Sequence, residues 1–153
     1  MSKQSIDDEY ILEEKVPSPE EHFNLRKQAG LTPPPRPDNE TSLKNTWFGV
    51  TIRTKQNGEA VSMGRIIGDG AIFCVVVDIC TLPHHQRKGL GSKIMRALVE
   101  HTDKHAPNAQ LSLLADPPGK VLYNRMGFVE NKLETPMVRS TFFKAYARGQ
   151  REE

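Results

Sequence analysis

Cysteine is scarce in this chain, which has only Cys74 and Cys80 among its 153 residues. The two lie in one apparent strand, where six residues of extended chain span about 20 Å. A disulfide requires Cα atoms within about 7 Å of each other. The two thiols are therefore expected to stay free, which fits a reducing compartment, the cytoplasm or the nucleus.

Long apolar runs and an excess of charge of one sign are also lacking. No stretch approaches the roughly 20 apolar residues that span a bilayer, and the start of the chain, MSKQSIDDEY, lacks the apolar region of a signal peptide. Lys and Arg number 21 against 19 Asp and Glu, a balance that argues against a protein that coats nucleic acid. We therefore expect a cytoplasmic protein that binds neither membranes nor nucleic acid.

Hydrophobic periodicity and turn residues predict a single α/β domain over residues 1–153, with loose tails at 1–8 and 145–153. The pair Asn57-Gly58 is typical of a hairpin turn between two strands. In chain order we expect a strand at 10–16, a helix at 18–30, three strands of an antiparallel meander between 47 and 80, a helix at 89–105, a strand at 109–115, a helix at 120–126, and two closing strands at 128–131 and 136–143.

The segment QRKGLG, residues 86–91, joins the last strand of the meander to the long helix. A helix N-terminus carries unpaired N–H groups and roughly half a positive charge. Glycines at positions 89 and 91 let an anionic group approach those N–H groups closely, and Arg87 and Lys88 add electrostatic attraction. The segment is therefore suited to bind a pyrophosphate.

Two common phosphate-binding motifs do not fit this segment. A P-loop ends in Gly-Lys-Ser/Thr, whereas the order here is Gly91-Ser92-Lys93. The dinucleotide-binding fingerprint requires a glycine at its sixth position, which here is Ile94. The segment therefore indicates a phosphate-containing ligand of another class.

The segment resembles the acetyl-CoA-binding motif of the GNAT acyltransferase superfamily, Q/R-x-x-G-x-G/A, which also lies between a buried strand and an amphipathic helix. A second segment, LYNRMGF, resembles the family pattern Y-x-x-x-G-F, and the order of elements from Tyr10 to Phe143 also matches. The resemblance implies a GNAT-type α/β fold with a mixed, mostly antiparallel central sheet flanked by helices. The defining positions are Gln86, Gly89 and Gly91 in the first motif and Tyr123, Gly127 and Phe128 in the second.

The resemblance also implies where acetyl-CoA binds as the cosubstrate. In the family the central strand separates from its neighbour beyond a bulge, and the pantetheine arm pairs with exposed main chain, which here belongs to Ile79, Cys80 and Thr81. Asp116 stands where the family often has an asparagine that contacts the pantetheine, and it also fits a helix N-cap. The pyrophosphate would be held by Gln86, Arg87, Lys88, Gly89, Leu90, Gly91 and Ser92.

The implied reaction is attack of a primary amine, expected to be a small molecule, on the acetyl thioester in a ternary complex. Tyr123 is the candidate general acid, because a phenol with a pKa near 10 can protonate a leaving thiolate; the alternative is an aromatic residue packed under the sheet. Cys80 is expected to be a spectator rather than a nucleophile. Asp78 is the nearest carboxylate that could serve as a base, although strand alternation can direct it away from the thioester, and the base stays unassigned.

Several alternatives remain open. The acceptor could be a protein lysine or N-terminus, or the domain could bind CoA without catalysis, and a homodimer is one possible assembly. Trp47 and Phe48 could line the acceptor pocket or pack in the core. His101 and His105 share a helix face but have no third ligand in view, so we expect no metal site.

Overall fold

The computed structural model of the protein describes residues 5–139. These residues form a five-stranded sheet in which the strands follow chain order. The first three neighbouring pairs are antiparallel and the last pair is parallel, which confirms the predicted mixed, mostly antiparallel sheet. The strands are β1 (Tyr10–Glu13), β2 (Phe48–Thr54), β3 (Ala60–Gly68), β4 (Phe73–Thr81) and β5 (Gln110–Ser112).

The helices flank this sheet, and none among residues 5–139 is long and apolar enough to cross a bilayer. Ser18 begins the second helix, because its hydroxyl accepts the N–H of Glu21 while the Glu21 carboxylate accepts the N–H of Ser18. Pro19 fits the first helical position, where no N–H is required. The helices are α1 (Ile6–Glu9), α2 (Pro19–Gln28), α3 (Arg36–Lys44), α4 (Leu90–His105) and α5 (Lys120–Arg125).

The apolar core lies between the sheet and α4. Leu90, Ile94 and Leu98 repeat at four-residue spacing along α4 and are fully buried, as the sequence pattern predicts. Gly64 on β3 permits the close approach of this helix, since a Cβ built there would lie 2.5 Å from both Ile79 Cδ1 and Ile94 Cγ2. The opposite face of the sheet is covered by α2, which packs against β3 and β4 and carries α3 beside it.

Two expectations from the sequence are confirmed in the meander. The turn that contains Asn57 and Gly58 joins the antiparallel strands β2 and β3, and Gly58 has a left-handed φ of +72°, which glycine adopts readily. Cys74 and Cys80 are both buried and free. Both cysteines lie on β4, which pairs with β3 in the meander.

The N-terminal segment differs from the expected loose tail at 1–8. A short helix, α1, begins at Ile6, because Ser5 and Asp8 cap it reciprocally through side chain and main chain. Ile6 also packs against the core. The capping box therefore orders a segment for which the sequence showed no periodicity.

The segment after α5 also differs from expectation. Residues 128–131 were predicted to form a strand, but they form none, and Val129 is 86% exposed. A strand needs a hydrogen-bonding neighbour, and the described residues provide none there. Of the second predicted closing strand, residues 136–139 form no strand. The rest of that strand and the predicted tail at 145–153 lie outside the described residues.

The central strand β4 contains a bulge at Asp78. Its pairing with β3 sets Cys80 opposite Met63 but Val77 opposite Arg65, so β4 has one extra residue between these pairs. Asp78 has a φ of +60°, in the left-handed region that residues other than glycine rarely adopt. Other interactions must therefore hold this backbone conformation.

Three donors hold the carboxylate of Asp78 at the bulge. His22 Nε2 donates to Oδ2 at 2.8 Å, Arg65 Nε donates to the same oxygen at 2.5 Å, and Arg26 donates to Oδ1. Burial alone would raise the pKa of Asp78, but the hydrogen bond from His22 and the charges of Arg65 and Arg26 lower it below its ordinary value. Asp78 is therefore an ionised carboxylate with its acceptor positions filled.

The same donors attach the two helices of this face to the bulge. His22 and Arg26 belong to α2, and Asn39 on α3 accepts a hydrogen bond from Nδ1 of His22. Arg65 on β3 also donates to the carbonyl oxygen of Ser42 on α3 at 3.1 Å. We call these residues (His22, Arg26, Asn39, Arg65 and Asp78) the Asp78 cluster.

Replacing Asp78 with asparagine should lower the free energy of unfolding by about 3–5 kcal/mol, because it leaves two buried guanidinium groups without their carboxylate. Denaturant titration of wild type and variant at pH 7 measures this difference. The matched control is Asp103→Asn, an exposed position on α4, which should change the free energy of unfolding by less than about 0.5 kcal/mol.

The stability difference should also depend on pH. The folded-state pKa of Asp78 is lowered, so its contribution is present above the unfolded pKa and is lost as the pH falls through the folded pKa. The difference between wild type and Asp78→Asn should therefore stay constant above about pH 5 and shrink below about pH 4. A variant within about 1 kcal/mol of wild type at pH 7 would contradict the assigned role of the cluster.

Candidate active site

The central strand β4 has a neighbour on both sides only in its first part. β5 pairs with Phe73, Cys74 and Val75, and from Val76 onward no described strand pairs with that side of β4. The side chain of Asp78 is only 4% exposed although the residue as a whole is half-buried. What remains accessible at the bulge is therefore main chain, on an open edge of the sheet.

The ladder between β3 and β4 fixes which main-chain groups face this open edge. The N–H of Leu82 donates to the carbonyl of Val61 at 2.8 Å, so the N–H of Cys80, two residues earlier, also faces β3. Thr81 alternates with these residues, so its main-chain groups face the open edge, where its carbonyl accepts from Nε2 of Gln86. Ile79 lies next to the bulge, where regular alternation does not apply. The pairing of Ile79, Cys80 and Thr81 with a pantetheine arm stays a prediction.

Residues 86–92, here called the glycine loop, connect β4 to α4. Gly89 is the N-cap of α4 with a φ of +86°, and Arg87 also has a left-handed φ of +63°. Left-handed residues next to a helix N-terminus turn successive N–H groups to one side and form an anion-binding concavity. The Leu90 side chain is buried in the core, so this residue offers only its main chain. The geometry fits a pyrophosphate.

Side chains around the glycine loop connect it to neighbouring elements. Gln86 donates from Nε2 to the carbonyl of Thr81 at 3.1 Å, which joins the loop to the end of β4. Lys88 donates to the hydroxyl of Tyr10 at 3.2 Å, and its Nζ lies 3.8 Å from a carboxylate oxygen of Glu9. The loop therefore contacts the N-terminal segment, far away in the sequence.

Helix α5 brings Tyr123 to the same end of the molecule. A Cβ built at Gly91 would lie 3.4 Å from Leu122 Cδ2, so α5 adjoins the first turn of α4. Tyr123 is half-buried, with its ring edge-on to that of Phe128 at a centroid distance of 6.4 Å. Burial, and then the negative charge of Asp116, raise the pKa of Tyr123 above its ordinary value. The phenol is thus kept in its protonated form.

The thiol of Cys80 is chemically unreactive in this setting. Burial, followed by the nearby charge of Asp78, raises the pKa of Cys80 to about 12. A thiol is nucleophilic only as its thiolate, so little reactive form exists near neutral pH. The buried, protonated thiol agrees with the spectator role expected from the sequence.

The aromatic and histidine candidates pack against one another, with both histidines on α4 and Phe48 at the start of β2. Phe48 stacks on His101 with a centroid distance of 3.6 Å, and Trp47 meets the same imidazole edge-on at 5.0 Å. These contacts support the packing alternative for both aromatic residues. The rings of His101 and His105 lie 4.4 Å apart, and residues 5–139 contain no group of three His, Cys, Asp or Glu side chains placed to hold a metal.

Sequence reasoning does not identify the side chains that hold the bulge and the glycine loop in place. Capped helix starts and apolar stripes leave local patterns, whereas these contacts join distant positions. His22 meets Asp78 across 56 positions, and Tyr10 meets His85 across 75. A pairing of that kind leaves no local pattern.

Comparison with known families and structures supports one assignment. A profile of the acetyltransferase (GNAT) domain matches residues 48–130, a range that includes the glycine loop and α5. A comparison with curated protein sequences finds no match. Among solved structures, a protein of unknown function from methicillin-resistant Staphylococcus aureus, described as a probable acetyltransferase, is 31% identical. The match covers 86% of this chain and 98% of that one, with a TM-score of 0.80.

Two further structures share the fold at lower identity. A GNAT-family acetyltransferase from Streptococcus pneumoniae is 23% identical with a TM-score of 0.70, and the match covers 86% of this chain and 98% of that one. Glucosamine-6-phosphate N-acetyltransferase from Arabidopsis thaliana is 14% identical with a TM-score of 0.67 and the same coverage of 86% and 98%. On the profile match and the 31% identity, the chain belongs to the GNAT acetyltransferase family, whose members use acetyl-CoA as cosubstrate.

Proposed function

We propose that this protein transfers the acetyl group of acetyl-CoA to a primary amine of a small molecule, by direct attack within a ternary complex. The observation that carries the proposal is the open edge of β4 next to the glycine loop. An extended arm that ends in a pyrophosphate fits both features at once, because the edge offers strand-like pairing and the loop offers N–H groups.

In this proposal the cosubstrate is held mainly by main chain. Ile79 and Thr81 pair with the pantetheine arm, with Cys80 between them, and one N–H of this edge faces the thioester oxygen. Such a donor is worth about 3–4 kcal/mol in the transition state. Asp116 borders the reacting end, next to Tyr123. The pyrophosphate is held by Gln86, Arg87, Lys88, Gly89, Leu90, Gly91 and Ser92.

The chemistry needs one acid and a neutral amine. The amine nitrogen forms a bond to the thioester carbonyl carbon, the carbon–sulfur bond breaks, and Tyr123 gives its proton to the departing sulfur. The raised pKa of Tyr123 supports this role, because the phenol is protonated when it is needed. Asp78 is not proposed as the base, since its carboxylate is buried and occupied by three donors. The amine loses its proton to water.

The side chains of α2 and α3 bear on the size of the proposed acceptor. Arg36 on α3 lies over the ring of Phe23 on α2, 4.1 Å from its centroid, and pairs with Glu20. The Asp78 cluster fixes α2 and α3 against the sheet beside these contacts. A depression of about 180 Å³ lies between α2 and Leu82, the residue after β4. These two features support a small acceptor in the proposal.

The first test is release of CoA, followed with a thiol reagent, across arylalkylamines, polyamines, amino sugars and short peptides. We expect turnover with one class of small amine, and a decrease in kcat of roughly 10²–10⁴-fold in Tyr123→Phe, because the leaving thiolate then lacks its acid. The KM for acetyl-CoA should change little in this variant.

Arg125→Gln, an exposed position on the same helix, is the matched control and should keep its kcat. Turnover only with peptides would replace the small-molecule acceptor by a protein acceptor. Tight binding of acetyl-CoA without turnover on any acceptor would mean a CoA-binding module, and full activity in Tyr123→Phe would remove Tyr123 as the acid.

Direct transfer also predicts that neither cysteine reacts. At pH 8 the Cys80 thiol is almost wholly protonated, since burial raises its pKa to about 12. Iodoacetamide should modify neither cysteine in the native protein and both cysteines after unfolding, as read by mass spectrometry. An acetyl group retained on the protein after incubation with acetyl-CoA alone would contradict transfer in a ternary complex.

A further inference from the structure

Tyr10, the first residue of β1, lies under the glycine loop. It is only 3% exposed, and its hydroxyl is 2.7 Å from Nδ1 of His85 and 3.2 Å from Nζ of Lys88. His85 ends the 3-10 turn Pro83–His85, directly before the loop, and Lys88 is the third residue of the loop. The Tyr10 oxygen thus contacts the residues on either side of Gln86 and Arg87, the first two residues of the loop.

The hydrogen-bonding chemistry sets the direction of both contacts. A lysine ammonium can only donate, so the Tyr10 oxygen accepts from Lys88. The phenolic proton is then free to donate to Nδ1 of His85 in the tautomer that carries its proton on Nε2. The imidazole meets the Tyr10 ring edge-on, with centroids 5.6 Å apart. The arrangement is specific for a hydroxyl, since phenylalanine would retain the ring contact and lose both hydrogen bonds.

The residues between these two contacts have a backbone that needs support. Arg87 adopts a φ of +63°, a conformation that costs free energy for any residue with a Cβ. That conformation, together with the left-handed Gly89, turns the loop N–H groups to one side. A loop without fixed ends can relax to a conformation in which these N–H groups no longer converge.

A neutral hydroxyl also leaves the charge of the loop available. Lys88 keeps its positive charge when it donates to this hydroxyl at 3.2 Å, and the carboxylate of Glu9 lies farther from Nζ, at 3.8 Å. The hydrogen bond to Tyr10 raises the pKa of Lys88, in the direction that keeps the ammonium form. Ile6, four residues earlier, adjoins the same loop, because a Cβ built at Gly89 would lie 3.0 Å from Ile6 Cδ1.

We propose that Tyr10 is a positioning residue for the cosubstrate, which acts through His85 and Lys88 to hold the glycine loop in its anion-binding conformation. Tyr10 touches no reacting atom in this proposal. The inference rests on the proposed binding of the pyrophosphate by residues 86–92.

The test compares acetyl-CoA with S-acetylpantetheine, a thioester that lacks the pyrophosphate and the nucleotide. Tyr10→Phe removes both hydrogen bonds and should raise the KM for acetyl-CoA by at least roughly 3- to 10-fold, the range that one lost intramolecular hydrogen bond gives. The kcat at saturating acetyl-CoA, the KM for the amine and the kcat/KM for S-acetylpantetheine should stay as in wild type. A purely structural role would not separate the two thioesters in this way.

His85 variants provide a second, independent measurement. His85→Asn keeps an acceptor near the position of Nδ1 and should stay close to wild type, whereas His85→Leu should raise the KM for acetyl-CoA, by no more than Tyr10→Phe does, because the bond from Lys88 to Tyr10 remains. The double variant Tyr10→Phe/His85→Leu should be no worse than Tyr10→Phe alone, because that variant already lacks the contact with His85. Asp103→Asn, at an exposed position near the end of α4, is the control and should leave all constants unchanged.

Two outcomes distinguish a failure of the proposed loop function from a failure of the proposed role of Tyr10. Wild type that uses both thioesters with equal kcat/KM would overturn the proposed role of the glycine loop itself. Wild type that prefers acetyl-CoA, combined with Tyr10→Phe that is unchanged or equally impaired with both thioesters, would overturn only the role of Tyr10. If Tyr10→Phe unfolds below the assay temperature, the comparison of His85→Asn with His85→Leu decides the question by the same criteria.

Discussion

The ionised carboxylate of Asp78 is the constraint on which the candidate site depends. A left-handed backbone at a residue other than glycine costs of the order of 1–3 kcal/mol, and burial of the carboxylate adds a desolvation cost. Donors from His22, Arg26 and Arg65 offset both costs. β4 has no β5 partner after Val75, and the bulge at Asp78 lies in this unpaired part of the strand. The ion cluster on the face that α2 covers thus holds a bulge that lies on the open edge of β4.

The candidate site has a second strained residue, Arg87, and the two are supported by different chemistry. At the bulge, the carboxylate of Asp78 is buried and paired with the side chains of His22, Arg26 and Arg65. In the glycine loop, Lys88 donates to the neutral phenol of Tyr10 and lies 3.8 Å from the carboxylate of Glu9. Left-handed residues thus occur both at the bulge and in the glycine loop, and in the proposed function each turns main-chain groups toward the extended cosubstrate.

Sequence patterns were sufficient wherever a structure depends on neighbours in the chain. Ser18 predicted the start of α2, Asn57-Gly58 predicted the hairpin, and the spacing of apolar residues predicted the buried face of α4. Sequence patterns were insufficient where contacts between distant residues determine the structure. The short helix α1 is held partly by contacts with the glycine loop, and the predicted strand at 128–131 found no partner among the described residues. Periodicity also cannot show a bulge, because one inserted residue changes no local composition.

The same distinction explains why the cosubstrate can be inferred from the sequence more readily than the acceptor. Recognition of a cosubstrate by main-chain groups requires only glycines at a strand-to-helix junction, and residues 86–91 contain such glycines in a short motif. Recognition of an acceptor requires side chains that converge from separate elements, as those of α2, α3 and β3 do at Asp78. These side chains are individually ordinary in sequence, and only the fold gives them a shared environment. The specificity of this acetyltransferase should therefore reside in side chains on the α2–α3 side of the sheet rather than in the main chain of the open edge.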